Sequence, residues 1–269
     1  MKKQLEKIFP AGVKWYRQWR DRRLFAAQRM RPTELGFDFI GVEGMPESRT
    51  ASGEVALLRE LLTGRDLFLD VGANCGLYSL IACRAGVPVI AIEPNALNFQ
   101  RLTENLAHNK CENAKAWNVA LGDKQGRALL YGGGEGASLL KNWGGMASTY
   151  AREVEVETLD HLAAGCPPTH SLLIKIDVEG HEHAVLSGAR ELLRRPSPTA
   201  WIIEHSFREN QEGGINPGFL SLFEIFWDAG YLCQTFDPAR RLVERMDVER
   251  WLASGVRDFG GVNYLFIQR

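Results

Sequence analysis

An apolar run, Leu67-Phe68-Leu69, leads into Asp70-Val71-Gly72-Ala73-Asn74-Cys75-Gly76, and a helical pattern, Leu77-Tyr78-Ser79-Leu80-Ile81-Ala82, leads out. This order reads as a buried strand, a tight glycine turn and a helix. Glycines at 72 and 76 let backbone approach a ligand that a Cβ would block. The helix start offers unpaired N–H groups beside them. The stretch therefore predicts the first strand of a doubly wound sheet, with a nucleotide-like cofactor at its turn.

The dinucleotide pattern G-x-G-x-x-G is not met, because Ala73 stands between Gly72 and Asn74. Asp70, at the strand end, would repel a pyrophosphate. It would not repel S-adenosylmethionine, which carries a sulfonium and an ammonium. A second acid, Glu93, ends the next apolar strand (87–92) and lies 23 residues after Asp70. That is close to the ~20-residue spacing of an acid that holds ribose hydroxyls. Two acids at neighbouring strand tips fit an adenosine ligand with a cationic tail. The plainer alternative is a structural turn with two solvated acids.

The chain has 269 residues, 45% hydrophobic and 24% charged, with a formal net charge of -1. Near-neutrality gives no global pull toward nucleic acid or membrane. No apolar run approaches the ~20 residues of a membrane span. No continuous apolar stretch follows Lys2 and Lys3, so a secretory signal is not expected. Cys75, Cys83, Cys111, Cys166 and Cys233 are odd in number and form no C-x-x-C pair. Neither a disulfide framework nor a zinc site is expected, and the expected location is the cytoplasm.

Residues 1–31 interleave Lys14, Arg17, Arg20, Arg22, Arg23, Arg29 and Arg31 with Trp15, Tyr16, Trp19 and Phe25. Two readings follow: peripheral contact with an anionic membrane or carrier, or a helix whose tryptophans pack on the sheet. The second is the commoner use of such a pattern. Residues 1–50 are taken as a basic, aromatic extension and 51–269 as the main domain.

Apolar helical and strand patterns then alternate: a helix over 54–62, strands over 67–70, 87–92 and 114–120, and a helix over 96–109. This order implies parallel βαβ units. Residues 132–150 are glycine-rich around Trp143, which suits either a lid or a disordered loop. Residues 153–157 alternate as a strand. The second chemistry-bearing stretch is Leu172-Leu173-Ile174-Lys175-Ile176-Asp177-Val178-Glu179-Gly180-His181-Glu182-His183. Lys175, Asp177 and Glu179 share one face while the strand continues. A lysine in a buried strand needs a partner, which either acid supplies. His181 and His183 point apart where a helix begins, so a closed zinc site is not expected. A helix over 184–193, a strand over 200–205, a helix over 216–229 and strands over 230–236 and 262–267 complete the pattern.

In combination, DVGANCGLYSL (70–80), AIEPNALNFQRLTENL (91–106), NVALGD (118–123), VEVETLDHL (154–162) and LIKIDVEGHEHAVLSGA (173–189) resemble the FkbM family of S-adenosylmethionine-dependent methyltransferases. The resemblance covers roughly 54–236. It implies a mostly parallel, seven-stranded, Rossmann-like α/β sheet of the class I methyltransferase type. It also implies cofactor contacts at Asp70, Gly72, Asn74, Gly76 and Glu93, with Asn118, Ala120 and Asp177 beside them, and a late acidic motif at Asp177, Glu179 and Gly180. Family members are mostly O-methyltransferases of sugars, polyketides and other natural products.

An alcohol acceptor must lose its proton, to a base or with the help of a metal. Asp177, Glu179 and His205 are the expected catalytic residues, with His181 a rival. Asp177 and Glu204 end neighbouring strands and offer oxygen ligands that suit Mg²⁺; Lys175 is the rival cation, and the metal stays open. The expected partner is a small molecule or glycan, free or carrier-linked. The competing classes are an RNA methyltransferase using the basic segment, a dehydrogenase, and a binding module without turnover.

Overall fold

The computed structural model describes residues 10–145, 151–210 and 214–268. The first nine residues of the basic segment and the end of the glycine-rich stretch, 146–150, lie outside them.

The elements in chain order begin with α1 (Pro10–Ala27), β1 (Arg31–Pro32), β2 (Asp38–Phe39), α2 (Met45–Ala51), α3 (Glu54–Leu62), β3 (Leu67–Val71), α4 (Leu77–Arg84) and β4 (Val89–Ile92). Next come α5 (Ala96–His108), β5 (Ala114–Trp117), β6 (Ala120–Leu121), β7 (Gly126–Tyr131), β8 (Ala151–Glu157), α6 (Leu159–Ala163) and β9 (Leu172–Ile176). The chain ends with α7 (Glu182–Ser187), α8 (Arg190–Leu193), β10 (Thr199–Glu204), α9 (Phe219–Asp228), β11 (Tyr231–Thr235), β12 (Leu242–Val243), α10 (Arg245–Ser254) and β13 (Asn263–Gln268).

The main sheet runs β12-β11-β13-β10-β9-β3-β4-β5. From β5 to β10 every neighbouring pair is parallel, and β13 and β11 are antiparallel. The expected seven strands are present, and two-residue β12 adds an eighth at the edge. Parallel strands are buried on both faces, which is why β3 and β9 read as continuous apolar runs. Alternate residues feed two cores. Leu69, Val71, Ile174, Ile176, Trp201 and Ile203 point to one. Phe68, Leu173, Ala200 and Ile202 point to the other, where α3 and α4 also pack. This alternation decides which polar residues meet at the strand tips. After β3 the chain builds outward through β4 and β5, then returns to β3's other side with β9. The crevice at that reversal is where α/β sheets bind ligands.

A three-stranded sheet, β6-β8-β7, sits apart from the main one. The pattern over 114–120 therefore divides: β5 stays in the main sheet, and β6 leaves it to pair with β8. The helix expected over 184–193 breaks into α7 and α8 because Gly188 packs against Gly122, whose carbonyl oxygen would lie 2.1 Å from an added Cβ.

The tryptophans of α1 do not pack on the sheet. Trp15 and Trp19 are exposed and stack on each other at 6.5 Å. The helix is tied down at its C-terminal end instead. Arg101 donates to the Phe25 carbonyl and to Gln28 Oε1, and its guanidinium lies 3.6 Å from the Phe25 ring centroid. No helix among the described residues is long and apolar enough to cross a membrane.

Candidate active site

The β3–α4 turn takes its shape from packing. Gly72 has φ 80°, and a Cβ there would stand 1.8 Å from the Asp177 carbonyl oxygen. Asp177 N–H donates to Val71 O at 2.9 Å, so β9 and β3 touch at their tips. Gly76 has φ 88°, and its Cβ would strike Leu102 of α5 at 2.5 Å. The direction a Cβ would take at these glycines is filled by β9 and by α5. Asn74, at φ 51°, is the turn's left-handed residue with a side chain.

A cleft of about 1100 Å³, counting the part open to solvent, opens at these tips. Gly72, Asn74, Glu93 and Ala120 of the expected cofactor residues line it, as do Asp177 and Glu179. Asp70, Gly76 and Asn118 do not. Asp70 is 1% exposed beneath the turn, where its Oδ2 accepts from Ser79 Oγ at 2.6 Å. Asn118 is exposed and donates to the Glu93 carbonyl. Those two act on the turn and on the β4 tip, not on the cleft wall.

In the cleft, Glu93 accepts from Asn74 N–H at 2.9 Å and from Asn95 N–H at 2.7 Å. Burial raises its carboxyl to about 7 despite those bonds. Asn74 Oδ1 is buried with no hydrogen-bond partner among the described residues. Buried acceptors of this kind are normally paired.

The cleft is also lined by a charged group that the parity of the sheet assembles. Asp70 and Lys175 are register partners in β3 and β9. Lys175 is 2% exposed, donates to Asp177 Oδ2 at 2.7 Å, and lies 4.6 Å from the Tyr78 ring centroid. Burial acts to lower its pKa, but Asp177, Asp70 and Glu204 outweigh that and hold the ammonium charged. Glu204, at the tip of β10, faces Asp177. The neighbouring negative charge and burial push it up to about 8. Glu204 therefore keeps its proton near neutrality. Residues ahead of β3 contribute too. Arg49 of α2 lines the cleft and donates to Glu54 at 3.1 Å, and Tyr78 donates to Glu54 at 2.5 Å. Neither Arg49 nor Glu54 falls within a motif that sequence patterns single out; only the fold brings them there.

His205 does not join this group. Glu204 is the last residue of β10 on the cleft side, so the next side chain falls on the opposite face. There it stacks on Phe219 with centroids 5.1 Å apart. His181 lines the cleft instead, and burial lowers its pKa. Glu179 Oε2 accepts from Trp143 Nε1 at 2.7 Å, and Ser138 Oγ donates to the Glu179 carbonyl at 2.6 Å. The glycine-rich segment through Trp143 is thus fastened to the acidic motif as a wall.

No group of three or more His, Cys, Asp or Glu among the described residues is placed to hold a metal ion. Mg²⁺ needs near-octahedral oxygen ligation at roughly 2.0–2.1 Å. Lys175 already occupies Asp177 Oδ2, so this donor set does not fit a resident Mg²⁺.

A family model, the methyltransferase FkbM domain, matches residues 70–233. The chain belongs to the FkbM methyltransferase family. Among relatives, hexuronic acid methyltransferase AglP of Haloferax volcanii is 30% identical over 165 residues, covering 59% of this FkbM chain and 65% of AglP. An FkbM methyltransferase structure from Methylobacillus flagellatus aligns with TM-score 0.38 and 16% identity, over 76% of this chain and 44% of that one. An O-methyltransferase structure from Klebsiella pneumoniae, described as putative, aligns with TM-score 0.44 and 12% identity, over 95% and 98%. The chain spans less than two thirds of AglP and of the Methylobacillus protein.

Proposed function

We propose that this FkbM protein transfers a methyl group from S-adenosylmethionine to a hydroxyl of a sugar or glycan. The observation that carries the reading is one cleft lined both by the turn residues Gly72, Asn74 and Glu93 and by the charged group Lys175, Asp177 and Glu204. Asn74 Oδ1 and the Glu93 carboxylate are acceptors suited to the hydroxyls and ammonium of that cofactor. The carboxylate of Asp177 suits its cationic centre. When bound, S-adenosylmethionine supplies a methyl group already activated as a sulfonium.

The chain's own residues then align and deprotonate the acceptor. Asp177, held by Lys175, accepts the hydroxyl proton. Lys175 is the cation that stands beside that carboxylate. The Glu179–Trp143 wall excludes water from one side. AglP is named for hexuronic acid methylation, which supports a saccharide acceptor here.

The test measures S-adenosylhomocysteine release with methyl glucuronides, neutral glycosides and short RNA as acceptors. A saccharide should turn over. Asp177→Asn should lose at least 100-fold in kcat, within the ~10²–10⁴ range of general-base catalysis, while calorimetry still shows cofactor binding. Turnover with RNA alone, or full activity of Asp177→Asn, would overturn the assignment.

A further inference from the structure

A second recess of about 860 Å³, counting the part open to solvent, is lined by Trp143, Gly180, Glu182, His183 and His205 among others. Its floor is polar and unfinished. The His205 ring is 1% exposed, yet neither Nδ1 nor Nε2 has a hydrogen-bond partner among the described residues. A neutral imidazole carries one donor and one acceptor, and native structures seldom leave both unmade in a buried ring. Glu182 is 4% exposed. Its Oε1 accepts from Gly180 N–H at 2.9 Å, and its Oε2 stands 3.9 Å from His205 Nδ1, too far for a hydrogen bond.

We propose that this recess is a subsite for an uncharged saccharide unit of the acceptor, next to the unit methylated in the cleft. The proposal rests on the methyl-transfer reading of that cleft. A hydroxyl both donates and accepts, so sugar hydroxyls complete His205 and Glu182 together. An anion meets the Glu182 carboxylate on the floor. A metal ion lacks ligands, since the His183 Nε2 is engaged with Ser221 Oγ at 2.8 Å and no three-residue ligand group exists among the described residues. Leu140, Trp143 and Pro217 give the apolar wall on which the C–H face of a sugar ring lies. Glu179 lines the cleft, while the next residue, Gly180, and Trp143, which donates to Glu179, line the recess. A Cβ at Gly180 would come within 2.5 Å of the Trp143 ring. Adjacent sugar units reach from one to the other.

The test uses the full chain with ¹⁵N-labelled histidine. A panel of neutral disaccharides and trisaccharides, inorganic phosphate and Zn²⁺ are added separately. At least one saccharide should move the His205 ring-nitrogen signals, with phosphate and Zn²⁺ leaving them in place. His205→Leu should bind that saccharide at least tenfold more weakly, with S-adenosylmethionine affinity unchanged. If the Leu variant does not fold, His205→Gln assigns the signals and the wild-type titration decides. Silence of the His205 signals toward every saccharide, or a response to phosphate or Zn²⁺ instead, overturns the subsite. Failure of the wild type to bind S-adenosylmethionine overturns the methyl-transfer reading instead.

Discussion

Lys175 is tolerated in the middle of the sheet because three carboxylates surround it, and those carboxylates in turn make the protein sensitive to pH. Glu204 and Glu93 are held at about 8 and about 7, above the ordinary value of 4.5 for a glutamate. In the folded chain they keep protons that the unfolded chain releases. These two groups lower stability as pH rises from about 4.5 toward 8, against the opposite slope from His181 and His183, whose pKa values burial lowers. In thermal unfolding of the ligand-free protein, Glu204→Gln should match wild type near pH 4.5 and exceed it at pH 8 by on the order of 3 kcal/mol. A variant with the same pH slope as wild type would refute the raised Glu204 carboxyl. Glu93→Ala should weaken S-adenosylmethionine by ~1.5–3 kcal/mol, the range for hydrogen bonds to a charged group, as read by calorimetry. That Lys175 pairs with an acid of its own strand face was legible from the spacing; that the acid is Asp177 and not Glu179 was not. The separation of Glu204 from His205 was not. It depends on which residue of β10 last points into the cleft, and one position reverses the face.

At the scale of elements, the turn at Gly72 is where two strands meet. Gly72→Ala would place its Cβ 1.8 Å from the Asp177 carbonyl at a φ of 80°. Left-handed strain costs about 1–3 kcal/mol and overpacking typically another 1–3. Loss of ~2–6 kcal/mol and of S-adenosylmethionine binding is the expected outcome, measured by urea unfolding and calorimetry. A folded variant with normal affinity would show that the β3–β9 contact is not needed. The strand–turn–helix order was readable because periodicity and glycine placement agree locally. What each glycine makes room for was not, since β9 arrives about a hundred residues later. The segment through Trp143 was open between lid and disorder for the same reason. Its fastening needs Glu179, a residue distant in sequence, to accept the indole N–H. β7 escaped notice because its exposed, weakly alternating residues carry little signal.

At the scale of the molecule, the segment before the first main-sheet strand divides into two physically different parts. Residues 31–62 are built into the domain. Leu35, Phe37 and Phe39 are buried in the same core as Phe68 and Leu80. Asn105 of α5 accepts from Ile40 N–H at 2.9 Å and donates to the Ile40 carbonyl, pinning the connection between β2 and α2. α2 then delivers Arg49 to the cleft. Burying those three side chains contributes roughly 1.5–3 kcal/mol each, a sum comparable with the ~5–15 kcal/mol that holds a domain folded. Among the described side chains of α1, Trp15, Tyr16 and Trp19 remain exposed. Phe25, and Gln28 just beyond the helix, meet Arg101. Two truncations follow from the division. A chain starting at Phe25 should keep its Tm within about 4 °C, a change of ~1–2 kcal/mol in a domain of this size. Its S-adenosylmethionine affinity should stay within threefold of wild type. A chain starting at Gly53 should fail to fold, seen as lost cooperativity in thermal unfolding and rapid amide exchange along β3 and α4. A cooperative, cofactor-binding product from the longer truncation would mean that the main sheet is complete without residues 31–52. Collapse of the shorter one would mean that α1 is held by more than the Arg101 contacts.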